Sequence, residues 1–218
     1  MGKNKSRSIL GDFTGKLGPV VLSTYRGTPT IRSLSATSKK PASSKQLGQR
    51  EIFRLVGQLC RQVKEIIKIG YQPPKNPKMS PLNAATSYHM KNCIVGDPNN
   101  PDFDFAKFRL SCPIRKTEQA WKAKISASAG NTVAVQWKLN PYPQKYTQLD
   151  DKVYLVFYHT TFHRFYSFRK VCKRSDLMYS YTFNELFTGQ ELFCYQLLVS
   201  ADGKRVSDTQ YLGRIDMI

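Results

Sequence analysis

The stretches Trp121-Lys-Ala-Lys-Ile-Ser-Ala-Ser128 and Thr132-Val-Ala-Val-Gln-Trp-Lys-Leu139 decide the fold of this chain. In both stretches every second residue is apolar, and this period of two is typical of strands with one buried face. Further strand-like runs lie at 153–158, 162–168, 177–183, 192–200 and, after an Asp202-Gly203 turn, in a last strand that ends near Leu212. About seven strands at this spacing predict an antiparallel β-sandwich.

Two helices are predicted upstream of these strands. Ser43 and Gln46 form a potential capping box and Gly70 stands where a left-handed C′ residue belongs, so one helix of about seven turns is expected between them. A second, shorter helix is expected to begin with Ser80 as its N-cap and to end near Gly96. The apolar stripe of the first helix comprises Ile52, Phe53, Val56, Leu59, Cys60, Val63, Ile66 and Ile67. This stripe must pack against other residues. The basic face of the helix then remains available for contact with a ligand.

The N-terminal residues 1–42 are predicted to form a Gly-rich basic arm. Two β-rich runs, at 20–25 and 30–34, flank the tetrapeptide Arg26-Gly27-Thr28-Pro29, and this arrangement predicts a β-hairpin. An isolated two-stranded hairpin is only marginally stable in water. The arm is therefore expected to lie on another part of the protein or on a partner.

The chain resembles two known families. Asn131-Thr-Val-Ala-Val-Gln-Trp137 followed by Pro141, and Phe193-Cys-Tyr-Gln-Leu-Leu-Val-Ser-Ala-Asp-Gly203, resemble the second and the sixth to seventh strands of fibronectin type III domains. Over its whole length the chain resembles an uncharacterised bacterial family of domains of unknown function. The segments that carry this second resemblance are Gly15-Lys-Leu-Gly-Pro-Val-Val-Leu22, Arg26-Gly27 through Ile31-Arg32-Ser33, Gln46-Leu47, and Leu82-Asn83-Ala84-Ala85 before Lys91-Asn92. Neither resemblance implies an activity.

These patterns predict an α+β protein in three parts. A basic N-terminal arm with a β-hairpin spans residues 1–42, and a two-helix segment spans residues 43–100. A C-terminal antiparallel β-sandwich, similar to immunoglobulin and fibronectin type III domains, spans residues 101–218.

Positive charge is concentrated at the N-terminal end of the chain. The formal net charge is +19, and the first 78 residues carry sixteen Lys and Arg against Asp12, Glu51 and Glu65. Dense fixed positive charge releases condensed counterions when it meets a polyphosphate, which favours nucleic acid as the partner. The candidate nucleic-acid-binding residues are Lys3, Lys5, Arg7, Lys16, Arg26, Arg32, Lys39, Lys40, Arg50, Arg54, Arg61 and Lys68. Phe13 and Tyr25 are candidates for stacking on exposed bases.

Candidate catalytic and metal-ligating residues are few. His159 and His163 lie in a strand-like stretch without a nearby Cys or carboxylate, and they are interpreted as surface histidines. His89 is interpreted as a structural histidine and Asp150-Asp151 as turn residues. The sequence contains no Gly-rich phosphate loop, nucleophile elbow or metalloprotease helix. We therefore predict a protein without catalytic activity, bound metal or cofactor.

The sequence lacks signals for export or membrane insertion. No apolar run approaches the roughly 18 to 20 uncharged residues that a membrane span needs, and the N-terminus lacks the apolar stretch of a secretory signal. The five cysteines, which are predicted to be buried thiols in a reducing compartment, are Cys60, Cys93, Cys112, Cys172 and Cys194. A cytoplasmic location without membrane contact is expected.

Two hypotheses about function follow from the sequence. The first is a non-enzymatic protein that binds nucleic acid or another polyanion with low sequence specificity through its basic N-terminal third. The second is a structural or assembly protein of a homo-oligomer, virion, filament or other particle. In that case the arm and the hairpin would add onto neighbouring subunits, as exposed strand edges allow.

Overall fold

The computed structural model describes residues 14–25, 28–36, 40–72, 79–97 and 100–218 of the 218-residue chain. Three helices and several antiparallel sheets give these residues a mixed α+β fold, with most of the strands in the C-terminal half. The chain divides into two compact units, Met1–Ala42 and Ser43–Ile218, and the helices belong to the same unit as the C-terminal strands.

The first unit contains a three-stranded antiparallel sheet. Its strands are β1 (Gly15–Leu17), β2 (Val20–Tyr25) and β3 (Thr28–Ser33), in the order β1-β2-β3. The predicted hairpin is confirmed because β2 pairs with β3, although β3 already includes Thr28 and Pro29, which were expected in the turn. Strand β1 was not predicted from the sequence. The Arg26-Gly27 tip lies outside the described residues.

The described part of the helical segment contains three helices. They are α1 (Ser44–Gln62), α2 (Lys64–Gly70) and α3 (Pro81–Asn92). The capping box is confirmed, because the Ser43 hydroxyl accepts a hydrogen bond from the Gln46 N–H and the Gln46 side chain accepts one from the Ser43 N–H. The prediction of one seven-turn helix is wrong. Val63, at φ −108° and ψ 21°, interrupts the helix between α1 and α2.

Gly70 permits close packing of α2 against the segment around Leu110. Its predicted role as a left-handed C′ residue is wrong. It is the buried last residue of α2, and it is not among the glycines at positive φ. A Cβ atom at this position would lie 2.2 Å from the carbonyl oxygen of Leu110. Any larger residue would therefore push α2 and the Leu110 segment apart.

The helix α3 begins as predicted but ends earlier. The Ser80 hydroxyl accepts a hydrogen bond from the Asn83 N–H, which is the geometry of an N-cap. The helix stops before Gly96 because β4 (Ile94–Asp97) and β5 (Asn100–Phe103) form a small antiparallel hairpin. Gly96 has a φ of +85° in this hairpin, a value that favours glycine.

The remaining strands form two antiparallel sheets. They are β6 (Trp121–Ser128), β7 (Thr132–Lys138), β8 (Lys152–His159), β9 (Arg164–Phe168), β10 (Met178–Thr182), β11 (Glu191–Val199) and β12 (Gln210–Asp216). One sheet has the order β10-β7-β6 and the other has the order β12-β11-β8-β9. The strands lie close to the predicted positions, although the last one continues past Leu212.

The four-stranded sheet is the middle layer of the second unit, because both of its faces are buried. On β8, Tyr154 and Tyr158 belong to the core that includes residues of α1, α2 and α3. Leu155 and Phe157, which point the other way, belong to the core shared with β7. A strand that is apolar on both sides is expected where a sheet is covered on both faces. The helices thus cover one face of this sheet, and the sheet β10-β7-β6 covers the other.

A buried ion pair connects the loops around these sheets. The Arg174 guanidinium donates hydrogen bonds to Asp151 Oδ2 at 3.0 and 3.3 Å and to the carbonyl oxygens of Glu118 and Gln119 at 2.6 and 3.2 Å. Thr117 donates its hydroxyl to the same Asp151 oxygen at 2.8 Å. Both charged side chains are almost fully buried. The prediction that Asp151 is only a turn residue is therefore wrong.

His89 is a buried structural histidine, as the sequence analysis proposed. Its Nε2 accepts a hydrogen bond from the backbone N–H of Arg109 at 3.0 Å, and its ring stacks on Phe108 with 4.5 Å between centroids. Burial lowers the pKa of His89 to about 4, so the ring is neutral in the native protein near neutral pH.

The cysteine prediction is correct in part. All five thiols are free. Cys60, Cys93 and Cys194 are buried as predicted, and burial raises the pKa of the Cys60 thiol to about 11. The prediction is wrong for Cys112, which is exposed, and for Cys172, which is half-buried.

The buried ion pair can be tested by removing its acidic member. We expect Asp151→Ala to lower the free energy of unfolding by about 3 to 5 kcal/mol, because Arg174 would remain buried without a counter-charge. The matched control Asp208→Ala breaks the exposed Lys116–Asp208 pair and is expected to cost less than about 1 kcal/mol. Urea unfolding measures both variants. Equal losses would contradict the structural role of the buried pair.

The burial of His89 predicts a pH dependence of stability. The unfolded chain binds a proton near pH 6.5, whereas native His89 stays neutral down to a pKa of about 4. Stability is therefore lost as the pH falls through this window, by about 3 kcal/mol from this residue. We expect His89→Gln to remove the share of the slope that comes from this residue, and His163→Gln, at an exposed position, to serve as the control. Urea unfolding at several pH values measures the slope, and an unchanged slope in His89→Gln would refute this assignment.

Candidate nucleic-acid interface

The predicted basic residues fall into three groups. Five of them, Lys3, Lys5, Arg7, Arg26 and Lys39, lie outside the described residues. Lys16, Arg32 and Lys40 are exposed in the first unit, and Arg50, Arg54, Arg61 and Lys68 are exposed on α1 and α2 of the second unit.

One face of the first unit's sheet is polar and basic. Residues directly opposite each other in a sheet point to the same face, and Lys16, Val21 and Arg32 lie opposite one another across β1, β2 and β3. Lys16 and Arg32 are thus on one face, about 10 Å apart by the usual strand spacing. Ser23 and Thr30 lie on the same face, with 2.7 Å between their hydroxyl oxygens. This face presents two cations and two hydroxyls to solvent.

The opposite face of that sheet is apolar and exposed. By register it carries Leu17, Val20, Leu22, Pro29 and Ile31. Leu17 is 69% exposed and Ile31 is 60% exposed. No residue with a described side chain in the first unit is buried, so this small sheet has no core of its own.

A stripe of exposed arginines runs along α1. Arg50, Arg54 and Arg61 follow one another at intervals of four and seven residues, which places them on one side of a helix with 3.6 residues per turn. Arg54 pairs with Glu51 at 2.8 Å, whereas Arg50 and Arg61 have no ion pair within the described part of the chain. The Arg54 and Glu51 side chains are 62% and 49% exposed. An exposed pair of this kind is weak, so the stripe keeps most of its capacity to attract anions.

Lys68 continues the positive surface on α2, but a neighbouring carboxylate partly compensates its charge. Its ammonium contacts Glu65 at 2.9 Å, and the hydrogen bond from Lys68 lowers the pKa of that carboxyl. Both side chains are at least half exposed. Like Arg54, Lys68 therefore remains accessible to a competing anion.

A groove of about 540 Å³ separates α1 from α3. Its lining consists of Gln49, Phe53, Gly57, Arg61, Leu82, Asn83, Thr86, Ser87, Met90 and Lys91. Phe53 was expected in the buried stripe of α1, but it is 55% exposed and contacts no other aromatic ring in the described part of the structure. A Cβ atom on Gly57 would have no neighbour within 4 Å, so this glycine leaves the groove open.

The sequence contained one signal for this groove. Glycine in a helix interior costs roughly 0.5 to 1 kcal/mol relative to alanine, so Gly57 stands out in the middle of a predicted helix. Gly57 has no packing reason, because the space beside it is empty. Phe13 and the side chain of Tyr25, the stacking candidates named from the sequence, lie outside the described residues.

The two neighbouring histidines differ in their environments. His159 is fully buried, so its interpretation as a surface residue is wrong; its Nδ1 accepts a hydrogen bond from the Phe162 N–H, and burial lowers its pKa. His163 is exposed, with its Nδ1 3.2 Å from the Tyr158 hydroxyl. No group of three or more His, Cys, Asp and Glu residues in the described ranges could hold a metal ion.

None of the helices that the structure describes has the length and apolar character needed to cross a membrane.

No curated protein matches this chain. A model described as a family of unknown function, DUF6266, matches residues 12–213. The chain therefore belongs to this family, which confirms the resemblance to a family of domains of unknown function.

Proposed function

We propose that this protein binds nucleic acid or another polyanion, without catalysing a reaction and with low sequence specificity. The observation that carries the proposal is the exposed stripe of Arg50, Arg54 and Arg61 along α1, to which the described part of the protein supplies only the exposed carboxylate of Glu51. The stripe spans about 16 Å at 1.5 Å per residue, which is long enough to contact several phosphates.

Two features support low specificity. Arginine side chains on an exposed helix face reach phosphate oxygens whatever the base sequence, so their contribution is electrostatic. The polar face of the first unit, with Lys16 and Arg32, offers a second cationic surface of the same kind. Both surfaces are expected to release counterions on binding, which makes the affinity strongly salt-dependent.

The fold of the C-terminal strands is compatible with a binding role but does not define one. We propose a sandwich similar to a fibronectin type III domain, because β9 stays beside β8 in the sheet β12-β11-β8-β9 while β10 pairs with β7 in the other. Such sandwiches host many unrelated functions. A cytoplasmic location, predicted from the sequence, fits a nucleic-acid ligand.

The proposal can be tested by neutralising the stripe. We expect the triple variant Arg50→Gln, Arg54→Gln, Arg61→Gln to weaken binding to heparin and to duplex DNA. The slope of log K against log salt should become shallower by about 0.9 for each lost phosphate contact. Affinity measured at several salt concentrations gives both quantities.

A charge-matched control distinguishes a binding site on α1 from a general effect of the protein's net charge. The triple variant Lys124→Gln, Lys138→Gln, Lys145→Gln removes the same charge from exposed positions away from α1. It is expected to change the affinity and the salt slope much less. Equal effects of the two triple variants, or no binding by the wild-type protein, would contradict the proposal.

A second candidate function, assembly, is favoured by the apolar face of the first unit. A small sheet that exposes Leu17 and Ile31 needs a cover, because such a sheet is stable only when an apolar face is packed. We propose a second copy of the same sheet as this cover. Lys16 and Arg32 lie on the opposite face, so two copies can bring their apolar faces together without bringing these cations together.

The register of the hairpin favours packing face to face over strand addition at the edge. The Leu34 N–H donates to the Pro19 carbonyl oxygen at 2.6 Å, and from there the hydrogen-bonded pairs of an antiparallel ladder alternate along β2 and β3. This alternation turns the backbone nitrogen of Pro29 toward the free edge of β3. A proline there removes a donor that an added strand would need.

The assembly candidate predicts dimers that resist salt. Leu17→Ser with Ile31→Ser is expected to convert dimers into monomers, whereas Lys16→Ser with Arg32→Ser, on the opposite face, is expected to leave them intact. Sedimentation velocity in molar salt measures the oligomeric state in the absence of electrostatic attraction. A wild-type protein that is monomeric at every concentration would exclude this candidate.

A further inference from the structure

We propose that the groove between α1 and α3 binds an unpaired base, so that the preferred ligand is single-stranded nucleic acid. This inference rests on the proposed function and names its substrate class. It starts from Phe53, an exposed aromatic side chain that lies on the same helix as the arginine stripe. Stacking of bases on aromatic side chains is the usual way in which proteins hold single strands without reading their sequence.

The shape of the groove suits a flat ring. Phe53 and Gly57 are one helical turn apart on α1, and both line the groove. Because Gly57 has no side chain and a Cβ atom there would meet no neighbouring group within 4 Å, the space next to Phe53 stays open. Leu82 and Met90 of α3 provide apolar surface in the same groove. A base placed there would stack on the Phe53 ring between the two helices.

The polar lining of the groove can contact the rest of a nucleotide. Arg61 on α1 and Lys91 on α3 line the groove and supply positive charge for phosphates. The side chains of Gln49, Asn83 and Ser87 also line it, and none of them has a hydrogen-bond partner within the described part of the protein. Amides and hydroxyls of this kind can bond to the exposed edge of an unpaired base.

The same lining disfavours an amphipathic helix of a partner protein as the occupant. Helix-binding grooves rely on several apolar anchor pockets along their length. This groove has only three apolar side chains, Phe53, Leu82 and Met90, and it also carries the cationic Arg61 and Lys91. Its charge matches a phosphate chain that continues from the arginine stripe.

The test compares three probes: an oligothymidine strand, a mixed-sequence duplex of equal length, and heparin. The wild-type protein is expected to bind the single strand more tightly than the duplex at equal salt. Phe53→Ala should weaken single-strand binding roughly tenfold, as expected for the loss of one base stack. Binding to duplex and heparin should stay within about twofold of wild type, because those ligands present no free base to stack.

Two further variants and one control distinguish the loss of base stacking from a loss of folding. Gly57→Leu fills the groove while replacing the helix-breaking glycine by a good helix former, so a loss of single-strand binding in this variant cannot arise from a weaker helix. Phe53→Trp keeps an aromatic surface and should retain binding, with its fluorescence quenched by the oligothymidine. Tyr142→Ala removes another exposed aromatic, far along the chain, and should have no effect.

The outcomes distinguish this inference from the proposed function. If Phe53→Ala and Gly57→Leu bind the single strand as wild type does while all variants bind heparin and duplex, the groove assignment is wrong and the polyanion proposal stands. If the wild-type protein binds none of the three probes, both are wrong. Equal wild-type affinity for single strand and duplex would also overturn the groove assignment.

Discussion

Burial of both faces of the four-stranded sheet is the constraint on which the rest of the second unit depends. Strands β8 and β11 carry apolar side chains on both sides, and exposing either side would cost about 25 cal/mol for each Å² of apolar surface. The sheet β10-β7-β6 covers one side, so the helices must cover the other. The buried pair of Arg174 and Asp151 then fixes the loops that enter these sheets.

This cover determines what α1 presents to solvent. The helix turns Val56, Leu59 and Cys60 toward the sheet, and with 3.6 residues per turn the arginines necessarily lie on the outer side. Packing of α3 beside α1 creates the groove, and Gly57 keeps it open. The same physical requirement that completes the core therefore produces both the cationic surface and the site proposed for a base.

The sequence predicted features that depend on local chemistry and missed those that depend on distant contacts. The alternating pattern of Thr132 to Lys138 and the capping box at Ser43 are local, and both predictions were correct. The roles of Gly70 and Asp151 depend on Leu110 and Arg174, far along the chain, so no local pattern could reveal them. The exposure of Phe53 likewise follows from where α3 packs, although the basic face of α1 was visible in the spacing of its arginines.

We propose that the surface formed by α1 and α3 receives a single strand of nucleic acid. Hydrogen–deuterium exchange with and without an oligothymidine strand can locate this contact without altering the protein. We expect slower exchange in α1 and α3 when the strand is bound, with exchange in β6 and β7 unchanged. Protection in β6 and β7 instead, or no protection in α1 and α3 at a concentration that saturates binding, would contradict it.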